Sequence, residues 1–382
     1  MTTDPSLQHR LRKDDHIVLA ERQQQSPVGR NDFDDVEFLH HALDGIDETG
    51  VRLGVRVGEV SWPVPLYING MTGGSDTATR INRELAITAR ETGLAMACGS
   101  MSIALRHPDT AAGFRVLREE NPDGFIMANL GAGRSGEDAR RAVELIGADA
   151  LQIHLNAAQE TVMPEGERAF TGWAASVEQM VAAAGVPVIV KEVGFGLSRR
   201  TLLRLRDLGV RIADVSGAGG TDFVGIENAR RRLGDFAFLG GYGQSAIACL
   251  LDAPHGTGPD LLASGGVRSP LDVVKALALG ARAAGVAGVF LKPASEGGAE
   301  ALVPIVRRWL AQLRQLHALL GAAEPAELQR TDLLLRGRVK EFCELRGIDP
   351  GSFTRRRDAA SPPSPGVPTP DVPTRSGEPN ER

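Results

Sequence analysis

His154-Leu155-Asn156-Ala157-Ala158-Gln159-Glu160 gathers an imidazole, two carboxamides and a carboxylate in one short stretch. His154 and Asn156 are two apart and share a face while the chain stays extended. Gln159 and Glu160 then fall in the following loop. A carboxylate at Glu160 suits Mg2+, which takes oxygen ligands, keeps several waters and bridges to substrate phosphates. A lone histidine at a strand end is more often structural, but the density of polar groups here argues for function. Lys191, beside Glu192, has two readings. Either it pairs with that neighbour, or it places a fixed positive charge beside a cofactor, as a lysine near N1 of a reduced flavin does. Arg12, Lys13 and His16 are either a solvated charge run or an anion clamp, and their pattern alone does not choose.

These groups need a frame. Short apolar runs recur at Val64–Ile68, Leu94–Ala97, Phe125–Ala128, Ala150–His154, Pro187–Val190, Ile212–Val215, Leu261–Ala263 and Ala284–Val286. Helical patterns stand between them at Ala78–Thr92, Ala139–Ile146, Ala174–Ala184, Arg199–Leu208 and Pro270–Leu279. Apolar strands alternating with helices predict a parallel sheet, and eight such units predict a closed (β/α)8 TIM barrel. A doubly wound open sheet is the competing architecture. Amphipathic helices are predicted over Ala301–Leu320 and Leu328–Leu345.

Barrel active sites lie at the C-terminal strand ends. There this sequence reads Met71-Thr72-Gly73-Gly74, Gly99-Ser100-Met101-Ser102, Asn129, His154, Lys191, Ser216 to Thr221, Ser264-Gly265-Gly266-Val267-Arg268 and Ala287-Gly288. The last two follow strands seven and eight, the usual barrel phosphate site, where small residues let backbone N–H groups approach phosphate oxygens. Thr72, Ser100, Asn129, Lys191, Ser216 and Thr221 outline one planar phosphorylated ligand across the mouth.

Lys and Arg total 43 against 48 Asp and Glu, a net charge of −5, so no general polyanion binder and no nucleic-acid partner is expected. Cys98, Cys249 and Cys343 are isolated and odd in number, which reads as reduced thiols in a cytoplasmic protein. Neither an apolar signal core nor a membrane span is expected. Residues 361–382 hold seven of the 22 prolines and few aliphatic side chains, the composition of a disordered tail. The organisation expected is an N-terminal extension (1–60), a barrel with C-terminal helices (61–355) and a disordered Pro-rich tail (356–382).

Arg12-Lys13-x-x-His16-Ile17, Met71-Thr72-Gly73-Gly74, His154-x-Asn156-x-x-Gln159-Glu160, Lys191-Glu192-x-Gly194-Phe195-Gly196 and Ser216-Gly217-Ala218-Gly219-Gly220-Thr221 occur in that order. Together, over roughly residues 10 to 350, the chain resembles type 2 isopentenyl-diphosphate Δ-isomerase, the flavin-dependent form. The resemblance implies interconversion of isopentenyl diphosphate and dimethylallyl diphosphate with reduced FMN, Mg2+ and NADPH. It implies FMN contacts at Met71, Thr72, Gly73, Ser100, Asn129, Lys191, Ser216 and Thr221, and a phosphate site at Gly265, Gly266, Val267, Ala287 and Gly288. Arg12, Lys13, His16 and His154 would hold the diphosphate, with Ser100, Met101, Ser102 and Asn156 nearby. Glu160 would bind the metal, while Gln159, Glu227 and His154 form the catalytic set. A homo-oligomer, tetramer or octamer, is implied too. The chain departs from the family at Phe223, where a Trp is common, and at Tyr242-Gly243-Gln244-Ser245-Ala246, where Trp-Gly-x-Pro-Thr is common.

The enzyme alternative is an FMN-dependent barrel oxidoreductase of the hydroxy-acid or nucleotide dehydrogenase type. It needs a substrate-oxidising base, and the chain has no His-Gly-Gly-Arg string. A flavin-binding barrel without turnover is the non-enzymatic alternative.

Overall fold

The structure is a computed structural model describing residues 5–25 and 31–360. Eight parallel strands close into a barrel: β1 (Leu66–Ile68), β2 (Ala95–Ala97), β3 (Ile126–Gly131), β4 (Ala150–His154), β5 (Val188–Lys191), β6 (Ile212–Asp214), β7 (Asp260–Ser264) and β8 (Ala283–Val286). Closure comes from β8 against β1, with Ala284 opposite Leu66 and Val286 opposite Ile68. The open-sheet alternative is thereby excluded.

Local chemistry sets the helices that return the chain between strands. Ser75 caps the helix Asp76–Thr92 by accepting from the Ala78 amide, and Gly93 ends it in the left-handed region. Ser135 and Asp138 form a reciprocal capping box on Gly136–Ile146. These helices bury their apolar faces on the outside of the barrel.

The barrel's two ends differ in chemistry. At the N-terminal end a hairpin, Val55–Val57 with Val60–Trp62, brings Trp62 under the strands against Tyr67 and Phe125, with ring centroids 5.5 Å apart in both pairs. Met127, Ile189, Ile212 and Leu262 complete that apolar plug. Toward the C-terminal end the interior turns polar, with Asn69, Asn129, Gln152, Asp214 and Ser264 all buried.

Four segments differ from sequence expectation. Gln159 and Glu160 lie on the short helix Ala157–Val162, which starts directly after Asn156, and not in a loop. Arg12 to His16 lies within a helix, α1 (Pro5–Gln25), which buries Ile17 and Ala20 against the barrel mouth. Leu328–Leu345 is not one helix: a 3-10 turn and the strand Leu333–Leu335 precede the helix Gly337–Arg346. That strand pairs with Val36–Phe38, a partner some three hundred residues away that no local period announces. Residues 356–360 of the expected tail form a short helix, tied down where Arg356 donates to the Ala278 carbonyl at 2.8 Å and Arg357 pairs with Asp44. The remainder of that tail, 361–382, lies outside the described residues. Among the described residues no helix is long and apolar enough to cross a membrane. The three cysteines are free and buried.

Candidate active site

α1 lies over the C-terminal mouth and completes two adjoining chambers. His16, Gly70, Met71, Lys191, Val193 and Phe223 line both of them.

The first chamber is lined by the loops after β6, β7 and β8. Gly265 and Gly266 have φ of 90° and 83°, which favours glycine, and a Cβ at Gly265 would stand 1.9 Å from the Gly217 carbonyl oxygen. Ser216, also on this wall, has φ of 38° without being glycine. Its amide donates to Asp214 Oδ1 at 3.0 Å. The buried Thr72 hydroxyl has no hydrogen-bond partner among the described residues. A glycine-rich turn and an unpaired buried hydroxyl lining one chamber fit a flat ligand with an anionic end.

Lys191, at the end of β5, is buried and donates to the backbone carbonyl of Glu192 at 2.7 Å. The Glu192 carboxylate accepts instead from the amides of Val193 and Phe195, at 2.6 Å each. The simple neighbour pair is therefore not made by hydrogen bonding. Burial lowers the pKa of Lys191, opposed by Asp214 and Glu192.

The second chamber has a volume of about 830 Å³. Arg12, Lys13, Arg106, Arg134 and Arg230 give its wall a cationic character. Arg12 and His16 are four apart on α1, so one helix face carries both to the cavity. Burial, then the nearby Arg12 and Arg230, bring Lys13 down to about 8 against an opposing pull from Glu227. His154 is held down at about 3 by burial and by Lys191, Lys13 and Arg134. Its Nδ1 lies 2.8 Å from Asn129 Oδ1.

Glu227 and Gln159 meet beneath α1. Gln159 Nε2 donates to Glu227 Oε1 at 2.8 Å, His16 Nε2 lies 2.9 Å from the same oxygen, and Arg230 reaches Oε2 at 2.5 Å. Burial raises the Glu227 pKa, but the close approach of His16 and the hydrogen bonds from Gln159 and Arg230 outweigh it and hold the group at about 2. It is an anion at neutral pH.

Glu160 lies on the same cavity wall. Asn156 Nδ2 donates to its Oε1 at 2.9 Å and the Glu167 amide to its Oε2 at 2.9 Å. Among the described residues no three His, Cys, Asp or Glu side chains gather as a metal cage. A lone, preoriented carboxylate fits a hard cation that brings its other oxygen ligands on a phosphorylated substrate.

Of the residues singled out from sequence, Met71, Thr72, Lys191, Ser216, Thr221, Gly265, Gly266, Val267, Ala287 and Gly288 line the first chamber. Arg12, Lys13, His16, Ser100, Ser102, Asn129, His154, Asn156, Gln159 and Glu160 line the second. Ser100 and Asn129, expected on the cofactor, thus stand on the cationic side. Met101, Gly73 and Glu227 line neither cavity; Glu227 is fully buried behind Gln159 and His16. The Met101 side chain is fully buried in the core, and Gly73 packs under the Phe114 ring.

The family model for FMN-dependent dehydrogenase matches residues 106–335. Isopentenyl-diphosphate delta-isomerase of Kitasatospora griseola is 60% identical over 349 residues, 91% of this chain and 96% of that one. The chain belongs to the isopentenyl-diphosphate delta-isomerase family. The protein of the same name from Streptomyces sp. (strain CL190) is 56% identical over 90% of this chain and 95% of that one, and that of Lacticaseibacillus paracasei 47% over 88% and 97%. Among solved structures, a mandelate oxidase aligns with a TM-score of 0.59 at 21% identity, over 84% of this chain and 92% of that one, a likeness of fold.

The two departures from the family's common text fall differently. Phe223 lines both chambers, with its ring edge-on to His16 at 6.0 Å between centroids. Tyr242 is exposed and lines neither chamber. Sequence reasoning missed Gln24, Arg134 and Arg230. Gln24 Nε2 would lie 2.3 Å from a Cβ at Gly288, at the end of the first chamber. A usable signal existed for Arg230, three residues after Glu227 on one helix. No spacing marks the other two.

Proposed function

We propose that the chain interconverts isopentenyl diphosphate and dimethylallyl diphosphate by an allylic proton shift. One observation carries the reading: a glycine-rich chamber and a cationic chamber share a wall that includes His16, and buried Glu227 lies behind it, 2.9 Å from His16 and bonded to Gln159 of the cationic chamber. The glycine cradle and the Thr72 hydroxyl suit FMN, with Lys191 beside its ring system and Gly265, Gly266 and Gly288 at its phosphate. Reduced FMN, when bound, supplies the acid and base for the shift, because an alkene is too weak a base for an ordinary side-chain acid. NADPH is the reductant in this reading.

The chain's own residues anchor and orient. Arg12, Lys13 and His154 hold the diphosphate, and Glu160 holds Mg2+ against it. Binding energy at that remote handle orients the alkene toward the first chamber. Glu227, which lines neither chamber itself, keeps Gln159 and His16 in register and places a buried negative charge behind them. The extension, residues 1–60, acts as the substrate-phosphate clamp, and the protein works in the cytoplasm as a tetramer or octamer. Relatives named isopentenyl-diphosphate delta-isomerase, at 60% identity and less, favour this reading over a hydroxy-acid or nucleotide dehydrogenase.

The direct test is anaerobic. Protein, FMN, NADPH and Mg2+ are incubated with isopentenyl diphosphate, and dimethylallyl diphosphate is followed. No conversion under reducing conditions overturns the proposal. Two further outcomes are expected. Glu160→Ala raises the Mg2+ concentration giving half-maximal rate by about tenfold or more, as read in a metal titration. Lys13 loses its proton above pH 8 in the free protein, so kcat/KM falls as pH rises through that value. Lys13→Arg stays charged and removes that alkaline limb; an unchanged limb takes Lys13 out of diphosphate binding.

A further inference from the structure

Asp214, at the end of β6, is fully buried, and its carboxylate touches neither the diphosphate clamp nor the Gln159–Glu227 pair. It accepts hydrogen bonds from Tyr67 Oη (2.6 Å), Asn69 Nδ2 (3.0 Å), Ser264 Oγ (2.8 Å to Oδ2) and the Ser216 amide (3.0 Å). Those donors come from β1, the residues just after β1 and β6, and the end of β7, and one chain of side chains continues from them across the barrel.

The direction of that chain is fixed. A backbone N–H can only donate, and the Gly70 amide donates to Asn69 Oδ1 at 2.9 Å. Asn69 must therefore turn its Nδ2 to Asp214 and Ser264. Gln152 Nε2 donates to the same Asn69 Oδ1 at 3.3 Å, which leaves Gln152 Oε1 to accept from Asn129 Nδ2 at 3.1 Å. Asn129 then presents Oδ1 to His154 Nδ1 at 2.8 Å. An amide oxygen only accepts, so His154 Nδ1 carries the hydrogen. Nε2 is left over, on the Gly131 side, where a Cβ at Gly131 would be 3.3 Å from it. Both residues stand on the wall of the cationic cavity.

We propose that Asp214 is a positioning residue for both chambers at once. On one side it pins the Ser216 amide, holding a non-glycine residue at positive φ against the glycine cradle. On the other, through Asn69, Gln152 and Asn129, it fixes His154 as the Nδ1–H form with Nε2 turned to the cavity. Gln152 is the link between Asn69 and Asn129 on the His154 side of that chain, and it does not touch Asp214 or Ser216. What Nε2 meets there, a diphosphate, rests on the isomerase reading; the tautomer and the Ser216 amide do not.

The test uses the FMN-loaded full chain with 15N-labelled histidine. Long-range 1H–15N spectra read the tautomer, and the His154→Asn difference spectrum assigns the signal. The wild type is expected as Nδ1–H. Gln152→Met cuts the chain: His154 becomes a mixture of tautomers, KM for isopentenyl diphosphate rises about tenfold and kcat stays within about threefold, with FMN affinity unchanged. Asp214→Asn perturbs both sides, so FMN affinity falls about tenfold as well. A wild-type Nε2–H signal overturns the proposal, as does a Gln152→Met spectrum identical to wild type. If Asp214→Asn does not fold, those two results still decide. Should the tautomer respond as stated while no isomerisation occurs, the positioning role stands and the isomerase reading falls.

Discussion

Gln159→Asn is expected to cut turnover by about 10²-fold while FMN stays bound. Gln159 sits on the short helix Ala157–Val162 after β4, mostly buried, with its Nε2 on Glu227 Oε1 at 2.8 Å. Removing one methylene draws the amide back by about 1.5 Å, out of reach of that oxygen. Misplacements of roughly 1 Å at a reacting centre cost about 10²-fold. The residue lines the cationic cavity and not the glycine-rich one, so the flavin contacts are untouched. Flavin absorbance after gel filtration measures retention, and kcat with reduced flavin measures the chemistry. Turnover within about threefold of wild type would remove Gln159 from the reaction.

Apart from Arg12, Lys13 and His16 on α1, the cavity-lining residues legible from sequence share a physical property: they sit at or just after the stop of an apolar strand run. His154, Lys191 and Ser264 are strand ends, and a change from β-like apolar text to polar or glycine text marks them locally. The helix after β4 begins at once, so Asn156, Gln159 and Glu160 stay close to His154 and read as one cluster. Met101 shows the limit. It stands between two serines in a string that reads as polar, yet it caps the helix Ser102–Arg106 and its side chain turns into the core. α1 escaped because its sequence is polar nearly throughout; only the barrel mouth makes Ile17 and Ala20 a buried face. Asp214 was invisible for a different reason. It stands inside the apolar run Ile212–Val215, and the donors that make its burial tolerable lie up to 147 positions away. Arg268 was read as part of the phosphate loop; its guanidinium instead reaches Asp34 at 2.6 Å and Asp272 at 3.1 Å. It lines the first chamber while tying the extension to the barrel.

Glu227→Gln is expected to cost more than any other single change, about 10²- to 10⁴-fold in kcat. Its carboxylate has no exposed surface and is shared by His16, Gln159 and Arg230. Neutral glutamine offers one acceptor where the carboxylate offered two, and its amide nitrogen must face another donor, either Gln159 Nε2 or the Arg230 guanidinium. Register at the junction and the negative charge are lost together. Arg230 keeps Glu165 at 2.9 Å, so the loss of stability should fall below the roughly 3–5 kcal/mol typical of a broken buried pair. The pH dependence separates structure from chemistry. With its pKa held at about 2, Glu227 contributes stability that is fully present above the unfolded value near 4.3 and is lost as pH falls toward 2. Glu227→Gln therefore lowers Tm at neutral pH and flattens its decline between about pH 4.5 and 2. At neutral pH, with the variant folded and flavin bound, kcat should still be down by at least about 10²-fold. A variant that shows the flattened acid profile but retains wild-type kcat would make Glu227 a purely structural anion.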